Sequence, residues 1–89
     1  MSASEKSLIE YPCAFPIKVM GAKSDALLAT LTEIAQAHDP DFKAHTVELR
    51  QSKGGNYLGV TLTVTATSRA QLDALYLALS KHPLVKVVL

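Results

Sequence analysis

The stretch Tyr57–Thr67, with the sequence YLGVTLTVTAT, decides the predicted fold, because apolar residues recur at every second position. The even positions are Leu58, Val60, Leu62, Val64 and Ala66, and the odd positions are Tyr57, Gly59 and four threonines. Successive side chains of a strand point to opposite faces, so all five apolar side chains share one side. β-branched Val and Thr favour such a strand. The pattern predicts a strand with one face on a core and the other open to solvent or a partner.

Size and composition indicate one small globular domain. The chain has 89 residues, of which 48% are hydrophobic and 19% are charged, so it can bury a single modest core. The net charge of +1 argues against nucleic acid or an anionic membrane as a partner. We expect a loosely ordered segment over residues 1–12 and a single domain over residues 13–89.

The cysteine content and the N-terminal residues point to the cytoplasm. Cys13 is the single cysteine, so no internal disulfide can form, and a reducing compartment is the simpler setting. The first residues, MSASEKSLIEYP, lack the apolar core of a signal peptide. No apolar run approaches the ~20 residues that a membrane span requires. We therefore expect a cytoplasmic protein with no membrane partner.

Upstream of the organising strand, the sequence predicts a strand followed by a helix. Residues 15–20 alternate with Phe15, Ile17 and Val19 on one face, and this strand is expected to end at Gly21. Ser24 is a favourable N-cap for a helix that carries a stripe of leucines. The helix is expected to stop near His38, because a proline follows two residues later.

A hairpin is predicted to lead into the organising strand. Residues 43–51 form its first strand, with Val47 and Leu49 inward and Thr46, Glu48 and Arg50 outward. The turn is Ser52–Asn56, with the sequence SKGGN, whose glycines and asparagine accept backbone angles that other residues resist.

Downstream of the organising strand, a second helix and a last strand are predicted. Ser68 and Gln71 have the spacing of a capping box, and Pro83 ends the helix that they begin. Residues 85–89 form the final strand, with Val85 and Val87 expected inward and Lys86 and Val88 outward.

The order strand, helix, strand, strand, helix, strand predicts a ferredoxin-like βαββαβ sandwich, in the α+β class. Its four-stranded antiparallel sheet carries both helices on one face. The expected core strand residues are Ile17, Val19, Val47, Leu49, Leu58, Val60, Leu62, Val64, Val85 and Val87. The expected residues of the uncovered face are Lys18, Met20, Thr46, Glu48, Thr61, Thr63, Thr65, Lys86 and Val88.

This fold hosts many unrelated functions, so each must be argued from its residues. RNA-recognition modules of this shape stack bases on aromatic residues of the first and third strands. The outward positions here are Lys18, Met20 and threonines, and only Tyr57 is aromatic. Nucleic acid is therefore not expected as a partner.

The residues that bind metals are too dispersed to predict a metal site. A metal chaperone of this shape needs paired thiolates, and Cys13 is alone. His38, His45 and His82 lack i, i+4 spacing or a second ligand nearby, and are interpreted as surface or capping residues. No metal or cofactor is expected.

The enzymatic alternative on this fold is a small hydrolase of acylphosphatase type. Such an enzyme needs an arginine in the first loop and an amide group that places water. The predicted first loop, residues 21–24, has backbone amides and Lys23, but Arg50 and Arg69 lie elsewhere. Asp39 and Asp41 are interpreted as partners of backbone amides rather than as a catalytic pair. We expect a protein that is not an enzyme.

Several short motifs together resemble a known family. They are Pro16-Ile17-Lys18-Val19-Met20-Gly21, Ser52-Lys53-Gly54-Gly55-Asn56-Tyr57, Val60-Thr61-Leu62-Thr63-Val64-Thr65-Ala66, Gln71 with Leu75-Tyr76 and Leu79, and a terminal Val-Leu. From about Leu8 to Leu89 the chain resembles the YbeD family of small bacterial proteins. The chain departs from the family pattern in its double glycine, in Gln51-Ser52, and at Gly59, where a polar residue is usual.

The resemblance implies a fold close to that of the ACT domains, which are ligand-sensing dimerisation units. By analogy, the sequence predicts a regulatory or interaction domain that is a homodimer and binds a small polar metabolite or a protein. The predicted ligand site is Gly21, Lys23 and Ser24. The predicted interaction surface is Lys53, Gly55, Asn56, Tyr57, Thr61, Thr63 and Thr65, although the turn could instead hold an anion on its amides. Self-association is expected through the edge at residues 85–89 or through the uncovered face.

Overall fold

The structure, a computed structural model, describes residues 10–89. Its elements are β1 (Cys13–Ala22), α1 (Asp25–His38), a 3-10 helix (Ala44–Thr46), β2 (Glu48–Gln51), β3 (Tyr57–Ala66), α2 (Arg69–Lys81) and β4 (Val85–Val88). The predicted order of strands and helices is confirmed. Most of the segment 1–12, for which we predicted loose order, lies outside the described residues.

The four strands form one antiparallel sheet in the order β2-β3-β1-β4. The central strands β1 and β3 pair over their full length, from Cys13 opposite Ala66 to Ala22 opposite Tyr57. β2 lies outside β3, and β4 lies outside β1. This is the predicted ferredoxin-like α+β fold.

The core lies between the sheet and the two helices, and the alternation of β3 decides it. Every even position of β3 is buried, whereas the odd positions are partly or fully exposed. The helices contribute Leu27, Leu31 and Ala35 from α1 and Leu72, Leu75 and Leu79 from α2. Each helix begins where predicted, because the Oγ of its N-cap serine accepts a backbone N–H from three residues further on.

The second strand differs from the prediction. Residues 44–46 form the 3-10 helix, so β2 has only four residues and Thr46 is not on the sheet. Val47 is half-buried against the core, but Leu49 is 52% exposed. Leu49 pairs with buried Val60 and so shares its face. It stays exposed because β2 is the edge strand and the helices pack on β3 and β4.

The last strand also differs, because a β-bulge shifts its alternation. Gly21 lies opposite Val85 and Met20 lies opposite Val87, so Lys86 is an extra residue in β4. Val85 packs on the core as predicted. Beyond the bulge the faces are exchanged. Val88, predicted outward, packs on the core, and Val87, predicted inward, is 46% exposed on the side of Met20.

Two side chains complete the outer edge of β3 where β2 does not reach. β2 pairs with β3 only between Leu58 and Thr61, so within residues 10–89 Thr65 has no partner strand on that side. Its N–H donates to Oδ2 of Asp39 at 2.8 Å, and its carbonyl accepts from Nε2 of Gln71 at 3.1 Å. The two side chains thus replace the missing strand for this residue.

Both side chains also hold other segments at the same end of the sheet. Oδ1 of Asp39, which is buried, accepts the N–H of Asp41 at 3.0 Å. Nε2 of Gln71 also donates to the carbonyl of His38, the last residue of α1, at 2.8 Å. Oε1 of Gln71 accepts the N–H of Thr67 at 2.6 Å. The expected capping box is therefore present, except that Gln71 binds the N–H of the residue before the N-cap Ser68.

We expect Asp39→Ala to lower the free energy of unfolding by about 2–3 kcal/mol, because two amide groups lose a charged acceptor. Urea unfolding followed by circular dichroism measures this loss. Asp41→Ala is the matched control, since it removes the same charge from an exposed side chain and should cost less than about 0.5 kcal/mol. Equal losses in the two variants would show that the Asp39 carboxylate has no special role.

Candidate functional site

The structure brings together the two loops that carry most of the predicted site residues. The connection between β1 and α1 consists of Lys23 and Ser24, and it lies beside the hairpin turn. The N–H of Lys23 donates to the carbonyl of Asn56 at 3.1 Å, and Ala22 pairs with Tyr57. The predicted ligand residues and the predicted turn residues therefore share one end of the sheet.

The turn itself uses several of its amides internally. Gly55 has a φ of 74°, a conformation that favours glycine, and its N–H donates to the carbonyl of Ser52 at 2.9 Å. The N–H of Tyr57 donates to Oγ of Ser52 at 3.1 Å. The amides of Gly55 and Tyr57 are thus occupied, which favours the hairpin interpretation over an anion cradle.

A shallow hollow lies beside the N-terminus of α1. Its lining residues are Lys23, Ser24, Asp25, Leu28, Leu49 and Leu58. Oγ of Ser24 accepts the N–H of Leu27 at 3.2 Å, so the hydroxyl already serves as the helix cap. The hollow combines one cation and one carboxylate with an apolar floor, to which exposed Leu49 contributes.

Gly21 does not belong to this hollow, which corrects the prediction that it ends the strand in an open loop. It lies inside β1 and its backbone is buried. A Cβ atom at this position would overlap the backbone carbonyl of Leu84 and lie 3.0 Å from Cδ1 of Leu27. Glycine is required here by the close approach of the chain before β4.

The face of the sheet opposite the helices, hereafter the open face, carries a wide groove. Lys18, Met20, Glu48 and Thr61 line it as the alternation predicted. Of the groove residues, Thr61 belongs to the predicted interaction surface, and Lys18, Met20, Glu48 and Arg50 were predicted only to face outward. Pro16, Val87 and Leu89 were not predicted on this face. Thr63 and Thr65 lie further along the same face of β3.

Apolar side chains cluster on the β4 side of this groove. Met20 is 41% exposed and lies opposite Val87, whose own exposed fraction is 46%. Leu89 follows, and its N–H donates to the carbonyl of Lys18 at 2.7 Å. The sequence could not place Val87 and Leu89 here, because the bulge that turns them to the open face has no signal in their side chains.

One row of the ladder crosses the middle of the groove. Val87, Met20, Gly59 and Arg50 lie opposite one another on the four strands in this order, and we call them the Gly59 row. Gly59 lies between Tyr57 and the series of threonines on the open face of β3. Its ideal Cβ position is 3.4 Å from the carbonyl oxygen of Arg50, an ordinary contact distance.

Several of the residues considered for catalysis or metal binding have structural partners. Nδ1 of His38 lies 3.0 Å from the carbonyl of Ile34, and Nδ1 of His82 accepts the N–H of Leu84 at 3.1 Å. Asp39 accepts backbone amides, as interpreted from the sequence. Within residues 10–89, no three Cys, His, Asp or Glu side chains are grouped closely enough to hold a metal ion.

Neither arginine lies at the first loop, where the hydrolase alternative needs one. Arg50 is in the Gly59 row on the open face. Nε of Arg69 lies 3.3 Å from Oδ1 of Asp73 on the exposed surface of α2. Lys23 is the basic residue of the connection between β1 and α1.

Comparison with known proteins places the chain in a family. Residues 6–89 match the sequence profile of a family described as "Protein of unknown function (DUF493)". The chain belongs to this family. DUF493 relatives named UPF0250 protein include one from Leptothrix cholodnii, which is 65% identical over 96% of this chain and 93% of its own. Another, from Chromobacterium violaceum, is 49% identical over the full length of both chains. The predicted resemblance to small bacterial proteins of the YbeD type is confirmed.

A solved structure has the same fold. The solution structure of protein HP0495 from H. pylori matches with a TM-score of 0.80, over 100% of this chain and 93% of that one. Its sequence is 22% identical, so the likeness concerns the fold alone. In residues 10–89, neither helix has the length and apolar character needed to cross a membrane.

The two glycines of β1 and β3 should respond oppositely to an added methyl group. Gly21→Ala should lower the free energy of unfolding by about 2 kcal/mol or more, because the Cβ meets backbone that cannot move aside. Gly59→Ala should be neutral or raise it by about 0.5 kcal/mol, because alanine restricts the unfolded chain. Thermal unfolding at low protein concentration measures both changes. A loss at Gly59 as large as that at Gly21 would contradict the packing difference.

Proposed function

We propose that the protein is a non-enzymatic regulatory or interaction domain, similar to the ligand-sensing ACT modules, that works as a homodimer. The observation that carries the proposal is the open face, where Met20, Val87 and Leu89 expose 41%, 46% and 73% of their surface side by side. Contiguous apolar surface of this kind marks interaction sites on soluble domains. The charged residues Lys18, Glu48 and Arg50 around it give the polar rim typical of an interface.

The proposal includes a small polar metabolite at the hollow beside α1. Lys23 supplies a positive charge there, and the helix N-terminus adds partial positive charge, so a carboxylate is the favoured group. Leu28, Leu49 and Leu58 form an apolar floor, which suits a ligand with a short hydrocarbon part. Of the predicted ligand residues, Lys23 and Ser24 are at the hollow, and Gly21 lies behind them in β1.

Static light scattering of the full chain tests the homodimer. We expect a mass clearly above that of the monomer at about 100 µM, in the concentration range of small, reversible interfaces. Met20→Glu should shift the mass towards that of a monomer, because it places a charge in the apolar cluster. Leu77→Glu is the matched control, since Leu77 is an exposed apolar residue on α2, away from the open face. A monomer at this concentration would contradict the dimer.

An NMR titration with amino acids and short carboxylic acids tests the metabolite site. The largest amide shifts should fall on residues 23–25 and on Leu49, and Lys23→Ala should abolish them. Largest shifts on residues 68–80 of the α2 region would show that the placement is wrong. Hydrolysis of an acyl phosphate that is lost in the Lys23→Ala variant would contradict the non-enzymatic proposal.

A further inference from the structure

Gly59 is a glycine that the fold of its own chain does not require. Its φ is not in the left-handed region, where Gly55 alone is found among the described glycines. An added Cβ would make an ordinary contact at 3.4 Å with the carbonyl oxygen of Arg50, in contrast to the overlap at Gly21. Glycine inside a strand weakens the strand, and often marks a position that another molecule approaches closely. The glycine at position 59 is therefore better explained by contact with another molecule than by packing within the monomer.

Met20, the cross-strand neighbour of Gly59, has a side chain that can fill the space above a glycine. Met20 lies directly opposite Gly59 on the neighbouring central strand and is 41% exposed. Methionine is long, unbranched and flexible, so it fills irregular apolar gaps well. Met20 keeps 41% of its surface exposed in the monomer, so it can contact a second molecule. The Met20 of a second copy can approach from above.

We infer that the open faces of two copies pack together with Met20 of each copy over Gly59 of the other. This inference rests on the proposed homodimer and assigns its interface. A two-fold axis parallel to the strands, midway between β1 and β3, exchanges the positions of Met20 and Gly59 because they are direct cross-strand partners. The same axis places β2 over β4 of the second copy. Facing sheets pack about 10 Å apart, a gap that a methionine spans above a glycine.

This arrangement also covers the rest of the exposed apolar cluster. Val87 lies at the β4 end of the Gly59 row and meets Arg50, at the β2 end of the same row in the second copy. Leu89 lies beside Lys18 in the neighbouring row, and in the dimer it faces Glu48 of the second copy. The hydrocarbon stems of Arg and Glu can lie along apolar side chains while their charged ends stay in water.

Charge on the open face is complementary to itself under this axis. Lys18 and Glu48 lie in one row, on either side of Thr61. In the dimer, Lys18 of one copy comes within one strand spacing, about 4.8 Å laterally, of Glu48 of the other. The symmetry makes this pairing twice, as an isologous interface requires.

The size of the interface predicts reversible association. The central strands contribute roughly six residues each and the edge strands four each. With about 4.8 Å between strands and about 3.3 Å between residues, the footprint is about 300 Å² per copy. Such an area is below that of stable complexes and belongs to weak or transient ones. The dimer is therefore expected to be in exchange with the monomer near about 100 µM.

A charge-reversal experiment tests the assigned interface. Lys18→Glu and Glu48→Lys should each raise the dimer dissociation constant by about tenfold or more, because like charges then face each other. A one-to-one mixture of the two variants should dimerise again, since every facing pair is then opposite in sign. Lys81→Glu and Glu33→Lys are the controls, because they make the same changes in net charge on exposed helix positions. Light scattering and analytical ultracentrifugation measure the association.

A second variant separates packing from charge. Gly59→Thr continues the threonine series of β3, so the monomer should be as stable as the parent or more stable. The same side chain fills the space for Met20, so dimerisation should be lost. A dimer that persists in Gly59→Thr, or a mixture of charge variants that stays monomeric, would overturn the assigned interface while leaving the homodimer intact. A parent chain that is monomeric would overturn both proposals.

Discussion

The hydrogen bonds that Asp39 and Gln71 make to Thr65 hold together the end of the molecule where the sheet is incomplete. A strand edge that is partly buried must satisfy its N–H and carbonyl groups, and here a side chain from the loop after α1 and one from the first turn of α2 do so. Asp39 follows α1 and Gln71 opens α2, so both helix ends are positioned against the same residue. Because the edge is completed in this way, β2 can be short.

The consequence is a sheet whose two faces have separate roles. The helix face is filled by leucines, valines and isoleucine and leaves little freedom for change. The open face has no covering layer in the described chain, and its central strands carry threonines, Met20 and a bare glycine. Stability therefore depends on one side of the sheet, and the other side is free to vary with the requirements of binding.

Local sequence patterns predicted most of the fold because they are short-range. The alternation of β3, the serine caps and the prolines after the helices each act within a few residues. The length of β2 could not be predicted in this way, since it depends on how far Asp39 replaces the strand along β3. The exposure of Leu49 could not be predicted either. It arises because neither α1 nor α2 covers the edge strand β2, and the alternation within β2 does not indicate this.

The candidate site was predictable only in part, for a similar reason. Lys23 and the turn were separate motifs in the sequence, and only strand pairing shows that they are neighbours. Gly21 and Gly59 are equivalent in sequence terms, as glycines beside a strand residue. Their different roles depend on the distance to Leu84 in one case and to Arg50 in the other.

The bulge at Lys86 decides which side chain of β4 stands next to Met20. If the same residues ran as a regular strand, Lys86 would lie opposite Met20 and Val87 opposite Val19, so Val87 would face the core and Val88 the open face. A valine would fill the space in the core in either case. The one extra residue therefore replaces a charged neighbour of Met20 with an apolar one, and it leaves the composition of the core unchanged.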